Sequence, residues 1–363
     1  MFDLSSFSET YTQARAKFLG AAVAAGCSLT EYLHSHQTGP QGAPLYLDVA
    51  RLGNPYARRV LIVGSGTHGI EGYSGSAAQT HWLRQFAPGQ LPRDVSVLLF
   101  HAHNPWGFAH ALRCTEENVD LNRNFVDFTR ELPGNPGYAQ VHALIDQPEW
   151  VEAQVPGIFD RLSVLRESLG EQRYSDAFNG GQYSHPEGIF YGGVREQWSN
   201  KAFKRALDEH LKYCDAAAFV DLHTGIGPQD GHVFLCFHPA GSAAYERVRH
   251  WWGERAVNRD GVTHKAVANY KGLLIDAFVD LLAGEATAVV VEFGTLPRLR
   301  MQRASMAARW LWATRDDQSD PDLRATLMND IREAFYPSAP DWRSGVLAQS
   351  KEIIDRGLAG IAR

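Results

Sequence analysis

The stretch Val60–Gly75, VLIVGSGTHGIEGYSG, sets the fold and poses the main chemical question. An apolar, β-branched run is followed by a glycine-rich turn and then by a helix-like segment, the sequence of a buried strand entering an α/β unit. Gly64, Gly66 and Gly69 fit the G-x-G-x-x-G spacing of a dinucleotide site. The same turn holds His68 and Glu71, three residues apart, a spacing that places both side chains on one side of a tight turn or first helical turn. The dinucleotide reading needs a carboxylate at the end of the next strand, about 20 residues on, to hold ribose hydroxyls. That strand, Val95–His101, ends in His101-Ala102-His103-Asn104 instead. A phosphate loop fails as well, because no Gly-Lys-Ser/Thr follows. A metal ion is therefore the better reading of this turn.

Working outward, residues 44–49 and 59–63 read as strands with a Gly53-Asn54-Pro55 turn between them, and 74–86 reads as a helix. Residues 216–222, 232–237 and 286–293 read as further strands. Helices are expected over 5–36, 150–169, 197–213, 301–315 and 322–335, and loops over 104–140 and 173–193. Long ordered loops in a compact domain usually serve function. With no repeat or linker in the 363 residues, one α/β domain with a central mixed, largely parallel sheet flanked by helices is expected.

The net charge of −6 gives no bulk attraction to nucleic acid or to an anionic membrane. There is no apolar run of transmembrane length and no secretory leader, so neither a nucleic-acid nor a membrane partner is expected and a cytoplasmic enzyme is the default. Four scattered cysteines without a C-x-x-C argue for reduced thiols rather than a disulfide framework.

A catalytic zinc site needs three protein ligands and an open position. His223 ends the strand 216–222 and opens a glycine turn, the same kind of position as His68, so His68, Glu71 and His223 form a candidate His₂Glu set. Asp221, two residues earlier on the same strand face, is a candidate to orient a liganding histidine. Glu292, at the end of the apolar run ATAVVVEFGT, is the candidate general base, since a lone carboxylate on such a strand is costly unless it faces a polar cleft. Arg113 and Arg123 lie in a loop suited to recognising carboxylates. His101 and His103 are an alternative metal pair, alternating along a strand. A serine-hydrolase elbow would need G-x-S-x-G, and Gly72-Tyr73-Ser74-Gly75-Ser76 lacks the last glycine.

These residues resemble the zinc carboxypeptidase superfamily, the carboxypeptidase A-like enzymes. The resemblance rests on His68-x-x-Glu71, the run Asp120-Leu121-Asn122-Arg123-Asn124-Phe125, His223 and Glu292, in that order across residues 60–295. In layout the chain is most similar to bacterial carboxypeptidase-like members. The resemblance implies one Zn²⁺ per chain on His68, Glu71 and His223, with Glu292 as general acid/base and Arg113 polarising the scissile carbonyl. It implies that Asn122 and Arg123 hold the substrate's free carboxylate. Tyr270, 22 residues before Glu292, matches the family's mobile substrate-binding tyrosine. The implied activity is carboxypeptidase-type hydrolysis of an amide bond next to a free carboxylate, on a small peptide. The alternative is a zinc-dependent N-acyl amino acid deacylase of the desuccinylase/aspartoacylase kind. Three departures concern substrate more than chemistry. The 155 residues between His68 and His223 imply an insertion within 126–200, Asn104-Pro105-Trp106-Gly107 replaces the family's Asn-Pro-Asp-Gly turn, and no residue announces a side-chain pocket.

Overall fold

A computed structural model describes residues 3–363 except 88, 90, 257–267 and 318–319. Its centre is a seven-stranded mixed sheet built from β1 (Ser28–Thr38), β2 (Pro44–Gly53), β3 (Arg59–Ser65), β4 (Val95–His101), β5 (Ala216–Gly225), β6 (His232–Leu235) and β7 (Glu285–Gly294). The strand order is β1-β2-β4-β3-β5-β7-β6. The four central strands, β4-β3-β5-β7, are mutually parallel, and β1, β2 and β6 add antiparallel edges.

The apolar run that opened the sequence explains the layering. In β3, Leu61 and Val63 enter one core with Trp82 and Ile354, while Val60 and Ile62 enter another with Phe203 and Phe278. Alternate residues thus face opposite sides and both sides are buried, as a central parallel strand requires. The first layer is supplied by α1 (Tyr11–Ala24), α2 (Gly72–Gln85), α8 (Ala243–Trp252) and α12 (Pro340–Ile361). The second is supplied by α7 (Trp198–Leu211) and α9 (Leu274–Leu281). The short α3 (Pro105–Ala109) packs with α10 (Arg298–Ala313) and α11 (Pro321–Phe335) against one end of α2. Three further helices, α4 (Tyr138–Ile145), α5 (Val155–Leu169) and α6 (Glu171–Asn179), carry a small core of their own around Tyr138, Ile158 and Phe178.

Two expectations from sequence need correction. The segment 5–36 is not one helix. Gly26, at φ +81°, closes α1: its N–H donates to Val23 O and that of Cys27 to Ala22 O, the paired bonds of a glycine C-terminal cap. The chain then pairs with β2 as an edge strand, Tyr32 opposite Leu47, with Tyr32 and His34 turned inward. The segment 173–193 is not wholly loop either. Tyr174, Ala177 and Phe178 recur at helical spacing and anchor α6 in its own core.

Candidate metal centre

His68 and Glu71 lie on the turn between β3 and α2. Gly66 there takes φ +71°, open to glycine at little cost. A Cβ on Gly69 would come within 2.0 Å of the Gly107 carbonyl carbon, so the turn sits flush on α3. It is tied down there by Gly69 N–H to Arg113 O and Ile70 N–H to Leu112 O, both 3.0 Å. The glycines of the opening stretch thus serve close packing and a sharp turn. β5 runs beside β3 in parallel register and continues three residues beyond Leu222, which carries His223 to the same sheet edge. Ligands in open α/β sheets bind at that edge.

There the three side chains meet, with one ligand atom from each within 4.8 Å of the others. His68 Nδ1 lies 3.0 Å from Glu71 Oε1, and His223 Nδ1 lies 3.1 Å from His68 Nδ1 and 3.0 Å from Glu71 Oε2. Zn–N and Zn–O bonds of about 2.0–2.1 Å in tetrahedral geometry place ligand atoms about 3.3 Å apart, so the spacing suits an ion of that size. Each imidazole turns its other nitrogen to a buried carboxylate. His223 Nε2 donates to Asp221 Oδ2 at 2.7 Å, and His68 Nε2 faces Asp120 Oδ1 at 3.2 Å. Asp221 in turn accepts from Thr67 Oγ1 at 3.0 Å. Such partners fix the tautomer that leaves Nδ1 free to ligate.

The electrostatics also suit a cation. Burial opposes ionisation of Glu71, but His68 and His223 outweigh it and hold the carboxyl below its usual range. Asp120 is likewise held low against burial by Arg113 and His68. His223 is pushed well above its usual value, because Asp221 and Glu71 overcome the burial that would keep it neutral. Three buried carboxylates therefore converge on two imidazoles and the single guanidinium of Arg113, whose Nε donates to Asp120 at 3.0 Å and Nη1 to Glu71 at 3.3 Å. Carboxylates that can hold a proton on buried His223 can hold a divalent ion in its place.

A cleft of about 460 Å³ opens over this cluster, lined by His68, Arg113, Asn122, Arg123, Tyr270 and Glu292 among others. Glu292 stands opposite His223 in the β5–β7 register and is 7% exposed. Burial pushes its carboxyl up to about 7, with Glu71 adding to the rise and His223 resisting it. Asn122 is braced by Leu274 N–H, which donates to its Oδ1 at 2.8 Å. Arg123 donates from Nη1 to Asn122 O (2.6 Å) and from Nη2 to Asn179 O (2.8 Å), and its buried Nε has no partner among the described residues. Its guanidinium lies 4.7 Å over the Tyr270 ring. The structure thus brings His68, Glu71, Arg113, Asn122, Arg123, His223, Tyr270 and Glu292 to one place.

Two contributions were not legible in the sequence. Asp120 sits in the most distinctive run of the chain, yet its contact with His68 needs the fold. Residues 179–183 brace Arg123: beyond the Asn179 carbonyl, a Cβ on Gly181 would strike the Arg123 stem at 2.4 Å, and Tyr183 Oη donates to Arg123 O at 2.6 Å. His101 and His103 do not join the cluster. His101 bonds Ser76 Oγ at 3.0 Å and stacks on Phe18, and His103 packs among Phe100, Phe203 and Phe219. The four cysteines are free, but only Cys236 is buried. Among the described residues no helix is long and apolar enough to cross a membrane.

Among solved structures, the chain is similar to thrombin-activatable fibrinolysis inhibitor (12% identity, 98% of this chain and 75% of that one, TM-score 0.49). It is similar to the bovine form of that protein, solved with a tick carboxypeptidase inhibitor (12% identity, 95% and 99%, TM-score 0.46). It is also similar to carboxypeptidase A from Helicoverpa armigera (11% identity, 97% and 75%, TM-score 0.43). No curated protein matches it. A family model described as "Protein of unknown function (DUF2817)" matches residues 7–349, and the chain belongs to that family.

Proposed function

We propose that the protein is a cytoplasmic zinc-dependent hydrolase of the carboxypeptidase type, cleaving an amide bond next to a free carboxylate. The observation that carries the reading is the convergence of His68, Glu71 and His223 beneath a cleft that also presents Glu292 and Arg123. Zinc on the three ligands would supply Lewis-acid polarisation of the scissile carbonyl and a more acidic water. Glu292 takes the proton of the attacking water and delivers it to the leaving amine, work suited to a carboxyl raised toward neutrality. Arg113 bears on the developing oxyanion. For that it must leave His68: Nη2 sits 2.7 Å from His68 Nε2, and a ligating Nδ1 puts the ring proton on Nε2, which would set two donors against each other. Arg123 and Asn122 hold the substrate carboxylate, and Tyr270 closes beside them.

A deacylase acting on N-acyl amino acids is the second reading. It is favoured by Ser175, Phe178, Asn179 and Phe190, which wall the cleft from the segment we read as an insertion. A cleft of this size holds a small ligand rather than a folded chain end. Metal analysis of the purified protein, with turnover of dipeptides and N-acyl amino acids before and after chelation, tests both. One zinc per chain and chelator-sensitive hydrolysis are expected. Hydrolysis that survives complete metal removal would discard the mechanism.

A further inference from the structure

The cleft holds a cation that this reaction does not use. Arg298, the first residue of α10, lines the same cavity as Arg123 and Glu292. It is half-buried, and among the described residues its guanidinium has no hydrogen-bond or ion-pair partner. Its described contact is the face of Tyr174, at 6.0 Å. Met301, Gln302 and Ser305, three, four and seven residues on, line the cavity too, so one face of α10 turns toward the cleft with Arg298 at its head.

The charges lining the cavity do not balance. Three arginines, Arg113, Arg123 and Arg298, face it together with one carboxylate, Glu292. Arg113 is matched by Asp120 and Glu71. Arg123 donates to two carbonyls and has no carboxylate partner among the described residues. Glu292, whose described hydrogen bond is from Ile226 N–H, pairs with neither Arg123 nor Arg298, so both are left without a carboxylate partner among the described residues. The substrate carboxylate assigned to Arg123 accounts for one, and Arg298 remains. A guanidinium left unpaired in the wall of a cleft suits a planar anion, which it can grip with two parallel N–H bonds.

We propose that the substrate carries a second carboxylate and that Arg298 binds it, making Arg298 a specificity-determining residue. The substrates are then small peptides or N-acyl amino acids with an extra carboxyl on either the amino-acid side or the acyl side of the cleaved bond. The inference rests on the hydrolase reading above.

Two matched pairs test it in the metal-loaded full chain: N-acetylglutamate against N-acetylglutamine, and N-succinylalanine against N-butyrylalanine. In one pair the acidic member should be preferred in kcat/KM by roughly 10- to 100-fold, the span of a charge-assisted hydrogen-bonded contact. The pair that responds identifies the side of the bond that carries the second carboxylate. Arg298→Gln should erase that preference, and Arg298→Glu should invert it. Equal turnover within both pairs, or a preference that survives Arg298→Gln, overturns the proposal while leaving the hydrolase reading standing. If none of the four is turned over, the deacylase reading fails while dipeptide turnover still decides the peptidase reading, and binding tests the second-carboxylate site by thermal shift. Glutarate should then raise the melting temperature above the value in butyrate for the wild type and not for Arg298→Gln. The absence of that difference overturns the second-carboxylate site.

Discussion

Two pairs of histidines sit at the same edge of the sheet and are chemically opposite. His68 and His223 each meet a buried carboxylate through Nε2 and share a third through Nδ1. His101 and His103 end the neighbouring strand, only two residues apart. His101 stacks on Phe18 with Asp48 at 3.7 Å, and both ring nitrogens of His103 are without a partner among the described residues. The consequence is a difference in sign: His223 is driven above its usual pKa, whereas burial depresses His103 to about 4. Strand-end position therefore does not make a histidine a ligand. A set of carboxylates converging on both rings does, here from the turn at Glu71, the loop at Asp120 and the strand at Asp221.

The sharpest way to break this contrast is to remove one histidine from each pair. His223→Ala should abolish stoichiometric metal binding, an effect larger than the roughly 10- to 100-fold that loss of an orienting partner costs. His103→Leu should keep one ion per chain by elemental analysis. Retention of metal by His223→Ala would move the site elsewhere. Next in size is Glu292→Gln, which should keep the metal and lower kcat by roughly 10²- to 10⁴-fold, the usual contribution of a positioned general base. A variant that loses metal together with activity would show Glu292 to be a ligand. In the wild type, Glu292 must be ionised to accept a proton, so activity should fall as pH drops through its pKa. That limb lies at or below about 7, since a bound cation can only pull the value down.

The comparison also shows why only part of the site could be read from sequence. His68 and Glu71 announce themselves because three-residue spacing on one turn is a local property, and Glu292 because a charge on an apolar strand has few other uses. His223 was legible only by analogy of position, and the same analogy suggested His101 and His103. What separates the pairs is, besides the local Glu71 and Asp221, which carboxylates approach across about 50 to 150 positions of chain, Asp120 to His68 and Glu71 to His223, a matter of strand order and register. Local signals mislead similarly at β1, where the alternation of SLTEYLHSHQT is absorbed into the helix expected over 5–36 despite Gly26, and at α6, whose apolar spacing is masked by neighbouring glycines. The central strands were legible because burial on both faces leaves an unbroken apolar run.

Asp221→Asn sharpens the contrast at a smaller scale. It keeps the shape but weakens acceptance from His223 Nε2, and the Asn amide can present a donor instead. Zinc affinity, measured by competition with a chelator, should fall by roughly 10- to 100-fold, with the fold intact by circular dichroism. An unchanged affinity would make the Asp221–His223 bond a structural pairing alone.

The smallest effect belongs to the other pair and reads out stability rather than activity. His103 is fully buried, and burial holds its pKa near 4 against an ordinary value near 6.5, with Asp221 opposing the shift only in part. Above pH 6.5 the ring is neutral whether the chain is folded or not. Between 6.5 and 4 the unfolded chain takes up a proton that the folded chain refuses, so stability falls as pH falls, by about 1.4 kcal/mol per pH unit and about 3 kcal/mol across the window. Below 4 both states are protonated and the loss stops growing. Other groups titrate in the same range, so the test is a difference. Urea unfolding of wild type and His103→Leu at pH 7.5 and 4.5 should show the variant losing about 2–3 kcal/mol less stability between the two. Equal losses would mean that the folded protein protonates His103 as readily as the unfolded chain does, and His103 and His223 would no longer differ in the sign of their electrostatics.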